Sequence, residues 1–465
     1  FKILTYAYSQ NIYSSRKIEQ ACRRDINFMW LLAGQKAPDH STIARFRTEF
    51  LADACEDLFY QMVRRLKDAE ELSTETVFID GTKLEACANK YTFVWKKSVG
   101  KWEEKMFHKI QEAVRLLNHD YMQSFTVNAE SRARDLQKIS GYLEEKCQQD
   151  GTEFVYGRGR RKSKNQKYLE LFQRFRERQV TYNWHTASFQ GRNNYCKTDP
   201  DATFMHMKDD HMRNAQLKPG YNIQIGVDSE YIVSADVFQD RNDVWTLVPF
   251  LKMMDEKLWF RYPSVTADSG YESEEGYTYL RSSGQKPYIK PQTYEKWKKR
   301  SFKQDISKRE NMGYDKETDT YTCHAGKKLK ALFVKKQKSK SGYESEVTVY
   351  ECDDCTYCPH KEKCTRAKGN KRLYISKSFL EKRQESYENI LSETGIQYRM
   401  NRSIQVEGAF GVLKNDYEFQ RFLLRGKTKV KLEILLLCMG YNLNKLHAKI
   451  QKGRTRTYLF EVQSA

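Results

Sequence analysis

The chain lacks a hydrophobic segment long enough to cross a membrane. Its longest apolar run near the carboxyl terminus, Ile434 to Met439, is far shorter than the roughly 20 residues that a membrane-spanning helix needs. No signal peptide is visible, although the chain opens at Phe1 instead of methionine, which leaves its true start open. These features argue against a membrane-spanning protein and against a membrane partner.

The cysteines lack the pattern of a disulfide framework. There are 11 of them, an odd number, and they are scattered along the chain apart from one cluster. Such a distribution suits the reducing cytoplasm better than an oxidising compartment. We therefore expect a cytoplasmic protein.

Acidic side chains are in the minority. The chain has 81 Lys and Arg against 61 Asp and Glu, which gives a formal net charge of +20. This charge favours a polyanionic partner, above all a nucleic acid. A ribosomal protein or a merely soluble basic protein would share it, so the charge does not specify an activity. The length of 465 residues suggests about three domains.

One apolar stretch delivers an acid at its end. Four β-favouring residues, 76 to 79, precede Asp80, and Gly81 follows it. A strand without polar residues for that length should be central in a sheet that is covered on both faces. Asp-Gly is also a common turn dipeptide, so Asp80 alone could be either a turn former or a metal ligand.

Two further acids lie far downstream in comparable settings. Residues 263–271 show the same pattern of a strand that ends in an acid, with a short β-rich run before Asp268 and small residues after it. Residues 401–414 have helical spacing that places Glu407 and Lys414 on one face. The apolar residues expected to face the core from this helix are Ile404, Ala409, Phe410, Val412 and Leu413. Two strand-end aspartates and one helix-borne glutamate could bind a pair of divalent cations for phosphodiester chemistry.

These motifs resemble those of the DDE transposases of bacterial insertion sequences, and the resemblance covers nearly the whole chain. Residues 38–47, 198–205 and 217–228 also match family signatures. The resemblance implies an α/β fold with an RNase H-like mixed sheet flanked by helices. It implies catalysis by Asp80, Asp268 and Glu407 with two Mg²⁺, or Mn²⁺, and double-stranded DNA as partner. The family also implies a homodimer on the element ends and target DNA, in a bacterial, nucleoid-associated setting.

Several acids compete with these three. Asp228, Asp236 and Asp240 are rivals for the second position, although turn, strand and capping roles already account for them. Glu433 is a rival for Glu407. Related transposases often have Tyr-x2-Arg-x3-Glu-x6-Lys around the glutamate. Here the spacing is Tyr398-x3-Arg402-x4-Glu407-x6-Lys414, which leaves the roles of the tyrosine and the arginine open.

Basic residues provide the expected DNA contacts. Lys414 and Arg402 would hold a phosphate beside the acids. The glycine-containing basic run at residues 157–167 is predicted to be a loop that contacts phosphates, although a solvated charge run is the usual alternative. The residues predicted to bind DNA from this loop are Arg158, Arg160, Arg161 and Lys162. Residues 1–72 read as short basic helices, either a helix-turn-helix for DNA ends or a helical lid on the core.

A cysteine cluster with the spacing Cys-x2-Cys-x2-Cys-x5-Cys is the most specific local motif. Its members are Cys352, Cys355, Cys358 and Cys364. Thiolates two residues apart form a tight metal loop, so we predict one structural Zn²⁺ at these four residues. Cys323, His324 or His360 could replace one ligand, and an iron–sulfur cluster is the alternative to zinc.

These predictions divide the chain into segments. They are a helical DNA-binding domain (1–72), an RNase H-like catalytic core (73–90, 218–290 and 396–450), a helical and basic insertion (91–217), a β-rich insertion with the cysteine cluster (291–395) and a tail (451–465). The predicted function is a transposase that cuts DNA at the ends of its element and transfers the strands to a target. The alternatives are an RNase H-like nuclease and a domesticated, non-enzymatic DNA-binding protein.

Overall fold

The computed structural model describes residues 1–157, 159, 161–207 and 216–458. They group into two compact units, Phe1–Leu84 with Tyr221–Ala465 as the first and Glu85–Gly220 as the second. Among the residues described, no helix combines the length and the apolar character that crossing a membrane requires.

The helices of the described residues are, in chain order, α1 (Lys2–Ser9), α2 (Ser15–Arg24), α3 (Ile26–Leu32), α4 (His40–Arg45), α5 (Leu51–Asp68), α6 (Lys96–Tyr121), α7 (Arg132–Gln149), α8 (Lys164–Phe189), α9 (Leu247–Lys257), α10 (Glu274–Ser282), α11 (Tyr294–Trp297), α12 (Arg300–Lys303), α13 (Lys361–Cys364), α14 (Lys377–Leu391), α15 (Glu393–Arg402), α16 (Gly408–Gly411) and α17 (Lys427–Gln451). Three π-helical turns also occur, Phe46–Phe50, Ser403–Glu407 and Val412–Asp416.

The strands are β1 (Thr76–Glu85), β2 (Phe93–Trp95), β3 (Asn194–Cys196), β4 (Thr203–His206), β5 (Leu217–Asp228), β6 (Tyr231–Phe238), β7 (Ser264–Ala267), β8 (Lys286–Ile289), β9 (Gly313–Asp315), β10 (Thr320–Thr322), β11 (Lys328–Lys338), β12 (Glu344–Cys352) and β13 (Arg372–Ile375).

The central sheet of the first unit has the order β6-β5-β1-β7-β8. Counted in chain order among these five strands, the arrangement is 3-2-1-4-5. β1 pairs with β7 and β7 with β8 in parallel, whereas β5 and β6 form an antiparallel hairpin. The predicted position of β1 in the middle of a sheet is confirmed, because Val77, Phe78 and Ile79 are fully buried.

Residues 1–72 are helical, as predicted, and two aspartates cap helices there. Asp25 accepts hydrogen bonds from the backbone N–H groups at the start of α3, and Asp39 accepts one from Thr42 N–H in α4. His40 begins α4, and its Nδ1 lies 2.9 Å from Oε2 of Glu19 in α2. His40 therefore has a structural role in joining two helices.

Helix α17 forms the buried centre of the first unit. Its residues 434–439 are almost completely buried, and Asn442 bonds both the N–H and the carbonyl oxygen of Ile232 in β6 at 2.9 and 2.8 Å. A Cβ added at Gly440 would lie 2.7 Å from the backbone nitrogen of Ser9 in α1. Glycine at this position therefore lets the first and last helices touch backbone to backbone.

The second unit is built on three long helices, α6, α7 and α8, which confirms the helical character predicted for residues 91–217. Leu117, Leu136, Leu143 and Phe172 are fully buried between them. Small strand pairs complete this unit. β2 pairs with β3, and β4 pairs with the first residues of β5.

Residues 313–375 carry a second sheet, with the order β13-β12-β11-β10-β9, which we call the cysteine-containing sheet. β12 lies within the segment 291–395, for which β-strands were predicted. The apolar core of the cysteine-containing sheet is small and includes Leu329, Tyr350 and Leu373. Helix α14, which the sequence did not indicate, follows this sheet and bonds to the edge strand β8 through Ser386, whose Oγ donates to the carbonyl oxygen of Ile289 at 2.9 Å.

Replacement of Gly440 by alanine tests the contact between α1 and α17. The added methyl group would overlap the backbone of α1, so we expect the free energy of unfolding to fall by about 1–3 kcal/mol. Gly411→Ala is the control, because a Cβ there meets nothing within 4 Å and should be neutral or stabilising. Chemical denaturation followed by circular dichroism measures both, and equal stability of the two variants would contradict the prediction.

Candidate active site

Asp80 and Asp268 lie side by side at one edge of the central sheet. β1 and β7 are parallel and in register, with Ile79 opposite Ala267, so the next residue on each strand is an acid. Neighbouring strands are about 4.8 Å apart, which brings both carboxylates to one place. Asp80 Oδ1 accepts the N–H of Gly81 at 2.8 Å, and Asp268 Oδ1 accepts the N–H of Gly270 at 2.8 Å. The structure thus brings the two predicted strand-end acids together.

A third aspartate, Asp243, lies beside them. A Cβ built on Gly81 would lie 3.0 Å from Asp243 Oδ1, and one built on Gly270 would lie 3.7 Å from Oδ2. The Asp243 carboxylate therefore lies close to the glycines that follow the other two acids.

Buried amides hold Asp243 in this place. Its Oδ1 accepts hydrogen bonds from Asn222 Nδ2 at 2.8 Å and from Gln224 Nε2 at 3.1 Å. Both amide side chains are almost fully buried in β5. Two polar residues alternating within an apolar strand could have indicated a polar site under the sheet edge, but alternation is more often a sign of a solvent-facing side.

Tyr271 lies beneath the acids. Its hydroxyl donates to Gln224 Oε1, and its side chain is fully buried. Burial raises the pKa of Tyr271 well above its ordinary value, and the negative charges of Asp80, Asp243 and Asp268 raise it further. The same phenol is thus close to three carboxylates.

Glu407 reaches this group through an arginine. Arg402 Nη2 lies 2.8 Å from Glu407 Oε1, and its Nη1 lies 3.6 Å from Asp80 Oδ2. Ser403 Oγ donates to Glu407 Oε2 at 3.0 Å. The Glu407 side chain is 53% exposed and that of Asp80 only 10%. One guanidinium therefore bridges two of the three predicted catalytic acids.

The helical pattern predicted around Glu407 is partly wrong. Ala409, Phe410 and Leu413 are buried as expected, but Ile404 is 57% exposed. The π-helical turn Ser403–Glu407 contains Ile404 and precedes the buried residues, and a second one follows at Val412–Asp416. A π turn bonds residue i to i+5, so it rotates the following side chains away from the positions of a regular α-helix.

The rival acids have structural partners. Asp228 is fully buried at the β5–β6 turn and accepts hydrogen bonds from Ser73 Oγ at 2.6 Å and Tyr262 OH at 3.1 Å. Burial raises its pKa. Asp236 pairs with Lys431 at 3.2 Å, and Asp240 with Lys340 at 3.1 Å.

Glu433, the rival of Glu407, lies inside the first unit. It is fully buried and accepts the backbone N–H groups of Leu423 and Leu424 at 3.1 Å. Burial raises the pKa of Glu433 to about 7. Its carboxyl group stabilises the segment before α17.

The predicted DNA contacts have different environments. Arg161 is exposed, whereas Lys162 pairs with Glu170 at 2.6 Å. Lys414 is half-buried in the π turn that follows α16. Arg158 and Arg160 lie outside the described residues.

The cysteine cluster lines one small cavity of about 20 Å³ in the cysteine-containing sheet. The sulfur and imidazole side chains around it are Cys323, His324, Cys352, Cys355, Cys358, His360 and Cys364. All the cysteines of the described residues are free thiols. Burial raises the pKa of Cys364, and the neighbouring Cys323, Cys355 and Cys358 raise it further, against the effect of Lys371.

The donor chemistry of both sites fits metal ions, but the side chains are not prearranged around one. Throughout the part of the chain that the structure describes, no three His, Cys, Asp or Glu side chains are placed so that they could hold a metal ion as they stand. Carboxylates at the sheet edge suit Mg²⁺ or Mn²⁺, and thiols with imidazoles suit Zn²⁺.

Two family models match the chain. A transposase DDE domain matches residues 322–447, and a transposase domain (DUF772) matches residues 1–49. The chain belongs to the DDE transposases of insertion sequences. No curated protein and no solved structure matches this transposase significantly.

The two matches cover different parts of the transposase. The first includes Glu407, Arg402 and the cysteine cluster, and the second covers the first helices. Asp80 and Asp268 lie outside both ranges. Their assignment as catalytic acids therefore depends on their position in the sheet.

Replacement of Arg402 by glutamine tests its bridging role in the transposase. Without the guanidinium, Asp80 and Glu407 lose their shared counter-charge, so we expect a lower melting temperature in metal-free buffer. Added Mn²⁺ should raise the melting temperature of Arg402→Gln more than that of the wild type, because the ion no longer competes with the arginine.

Arg399→Gln is the matched control for this experiment. Arg399 lies in the same helix, α15, and contacts Tyr294 instead of the acids. Its substitution should leave the Mn²⁺-induced shift unchanged. An equal shift in the wild type and in Arg402→Gln would show that the bridge does not affect cation binding.

Proposed function

We propose that this transposase binds the ends of its insertion sequence, cuts the DNA there and transfers the strands to a target, with Asp80, Asp268 and Glu407 as the metal-binding triad. The observation that carries the proposal is the pairing of β1 with β7, which puts two aspartates side by side at the end of parallel strands. Glu407 is linked to them through Arg402.

The order of the central sheet supports an RNase H-like core. An RNase H-like sheet requires a first strand, a hairpin, a helix and a further strand, with the first acid on the first strand and the second acid after the fourth. β1, the β5–β6 hairpin, α9 and β7 follow this order. Asp80 and Asp268 occupy the two positions.

Each residue of the proposed site has a separate role. Bound Mg²⁺ or Mn²⁺ would activate a water or a DNA 3′-hydroxyl and stabilise the leaving oxygen. Gly81 and Gly270 fix the two aspartates through their N–H groups, so each carboxylate keeps one orientation. The exposed Glu407 completes the triad from its helix. Arg402 and Lys414 bind the phosphate, and no covalent bond to the protein is needed.

The partner is proposed to be double-stranded DNA, held by a homodimer in the bacterial cytoplasm at the nucleoid. The net charge of +20 supports a polyanionic partner. Helix α2 is the best candidate to contact the element ends, because Arg16, Lys17 and Arg24 are exposed on it. Arg161 and Lys162, with Arg158 and Arg160, are proposed to add phosphate contacts.

The helical segment 1–72 shares its core with α17, which shapes how its role can be tested. Asn444 Nδ2 donates to the carbonyl oxygen of Ser9 at 2.7 Å, and Lys431 pairs with Glu56 at 2.6 Å. Deleting the segment would expose the buried side of α17. Surface substitutions are therefore the better test.

A separate, structural cation is proposed for the cysteine cluster. The sequence assigns one structural Zn²⁺ to Cys352, Cys355, Cys358 and Cys364, and the cavity that these thiols line supports a metal there. Zinc binding would stabilise a sheet that has only a small apolar core.

Neutral variants of the triad test the chemistry. We expect Asp80→Asn, Asp268→Asn and Glu407→Gln each to lower the rate of strand cleavage by about 10³-fold or more, because a metal ligand is lost. DNA binding should persist, since each change removes a negative charge. The measurement is incubation with Mg²⁺ and DNA carrying the flanking repeats, followed by mapping of cut and joined strands.

Asp240→Asn is the control for the triad, because its ion pair with Lys340 is at the surface and contributes little. This variant should cut normally. Near-normal cutting by any triad variant would remove that residue from the site. Cut but never joined products would favour a nuclease, and binding without any cutting by the wild type would favour a domesticated DNA-binding protein.

Neutralising α2 tests recognition of the element ends. The triple variant Arg16→Gln, Lys17→Gln, Arg24→Gln should lose preference for end DNA, and its salt dependence should weaken by about 0.9 in slope for each lost phosphate contact. The matched control is Lys335→Gln, Lys336→Gln, Lys338→Gln on exposed β11, which removes the same charge. The end preference of both variants is measured by fluorescence anisotropy. An equal loss in the two would indicate a general effect of charge. It would then favour the alternative that residues 1–72 form a helical lid on the core.

A further inference from the structure

The cavity in the cysteine-containing sheet has more thiols around it than a tetrahedral metal needs. Its volume of about 20 Å³ is close to the space of one water molecule or ion. Five cysteines line it, whereas a structural zinc takes four ligands. The zinc site proposed above uses the four cysteines of the sequence motif, but the fifth, Cys323, allows a different set of four.

Cys323 enters the cavity from a different segment of the chain. It follows β10 in a tight turn, in which its N–H donates to the carbonyl oxygen of Lys327 at 2.9 Å. Gly326 N–H donates back to the carbonyl oxygen of Cys323 at 2.9 Å, and its φ of 74° requires a glycine. The turn holds the Cys323 thiol, which is partly exposed, at the cavity wall.

Cys355 and Cys352 differ in what faces their sulfur atoms. Cys355 Sγ accepts the backbone N–H of Lys371 at 3.4 Å. Cys352 Sγ donates to the carbonyl oxygen of Asp354 at 3.9 Å, and the backbone of Asp354 and the Cys355 thiol also bond to it. A thiolate ligand carries negative charge, which a backbone N–H stabilises. Cys355 has such a donor and lies in the loop that also holds Cys358 and Cys364, whereas Cys352 is fixed as the last residue of β12.

Lysines supply the charge that four thiolates need. Lys327, Lys361 and Lys371 line the same cavity. Zinc with four thiolates carries a net charge of about −2, which nearby ammonium groups offset. Lys371 Nζ also donates to the carbonyl oxygen of Cys364 at 2.9 Å and so fixes the last cysteine of the cluster.

We propose that the zinc ligands are Cys323, Cys355, Cys358 and Cys364, and that Cys352 is a core thiol outside the coordination sphere. The proposal rests on the zinc site proposed above and is independent of the catalytic triad. Binding releases the thiol protons to solvent and turns the four side chains toward one point. The metal would join the turn after β10 to the loop that contains Cys355 and α13.

Zinc content of single serine variants tests the ligand set. We expect about one zinc per chain in the full-length wild type purified under reducing conditions, by elemental analysis. Cys323→Ser should lose most of it, whereas Cys352→Ser should retain it. Cys352→Ser is thus the matched control, because it makes the same substitution within the same cluster. Loss of zinc from Cys352→Ser with retention by Cys323→Ser would overturn the proposal, and iron with sulfide would overturn zinc itself.

The wild-type protein provides a second measurement in case Cys323→Ser does not fold. Cys323 is partly exposed, so N-ethylmaleimide should modify it slowly while zinc is bound and at least tenfold faster after a chelator has removed the metal. Mass spectrometry of the peptides locates the modified residue. Equal reactivity of Cys323 before and after metal removal would exclude it as a ligand, and protein without any zinc would remove the site.

Discussion

The register between β1 and β7 is the constraint on which the active site depends. Side chains alternate between the two faces of a strand, so a slip of one residue would send one of the two acids to the opposite side of the sheet. The pairing of Ile79 with Ala267 prevents this and places Asp80 beside Asp268. The apolar residues of β1 secure the register, because they are buried on both faces. Hydrophobic packing in the sheet thus sets the geometry of the charged site.

The sequence was sufficient to predict the strands that carry Asp80 and Asp268, because each is a short apolar run that ends in an acid. It did not identify Asp243, whose place beside the other two acids depends on buried amides of a different strand, β5. Side-chain positions around Glu407 were predicted only in part, since the π turns that expose Ile404 leave no simple pattern in the sequence. The proposed ligand choice among the cysteines likewise depends on hydrogen bonds and chain positions that their spacing does not indicate.

A buried polar layer supports the acids from below. Asn222 and Gln224 bond Asp243, and Tyr271 bonds Gln224, all within the protected edge of the sheet. A buried polar group without a hydrogen-bond partner destabilises the fold, so this layer has few alternative arrangements. Glu407, by contrast, is half-exposed and held by Arg402 and Ser403. The site therefore combines two buried-edge aspartates with a more exposed glutamate.

The contact between α1 and α17 has a consequence for synthesis on the ribosome. Ser9 and Asn444 are bonded to each other, yet nearly the whole chain separates them. The unit that contains the acids cannot close its core until α17 has emerged, whereas residues 85–220 form a continuous unit that can fold earlier. A prematurely terminated product would lack α17 and leave the inner faces of α1 and α5 uncovered. Completion of the unit that holds Asp80 and Asp268 therefore depends on translation of the last helix.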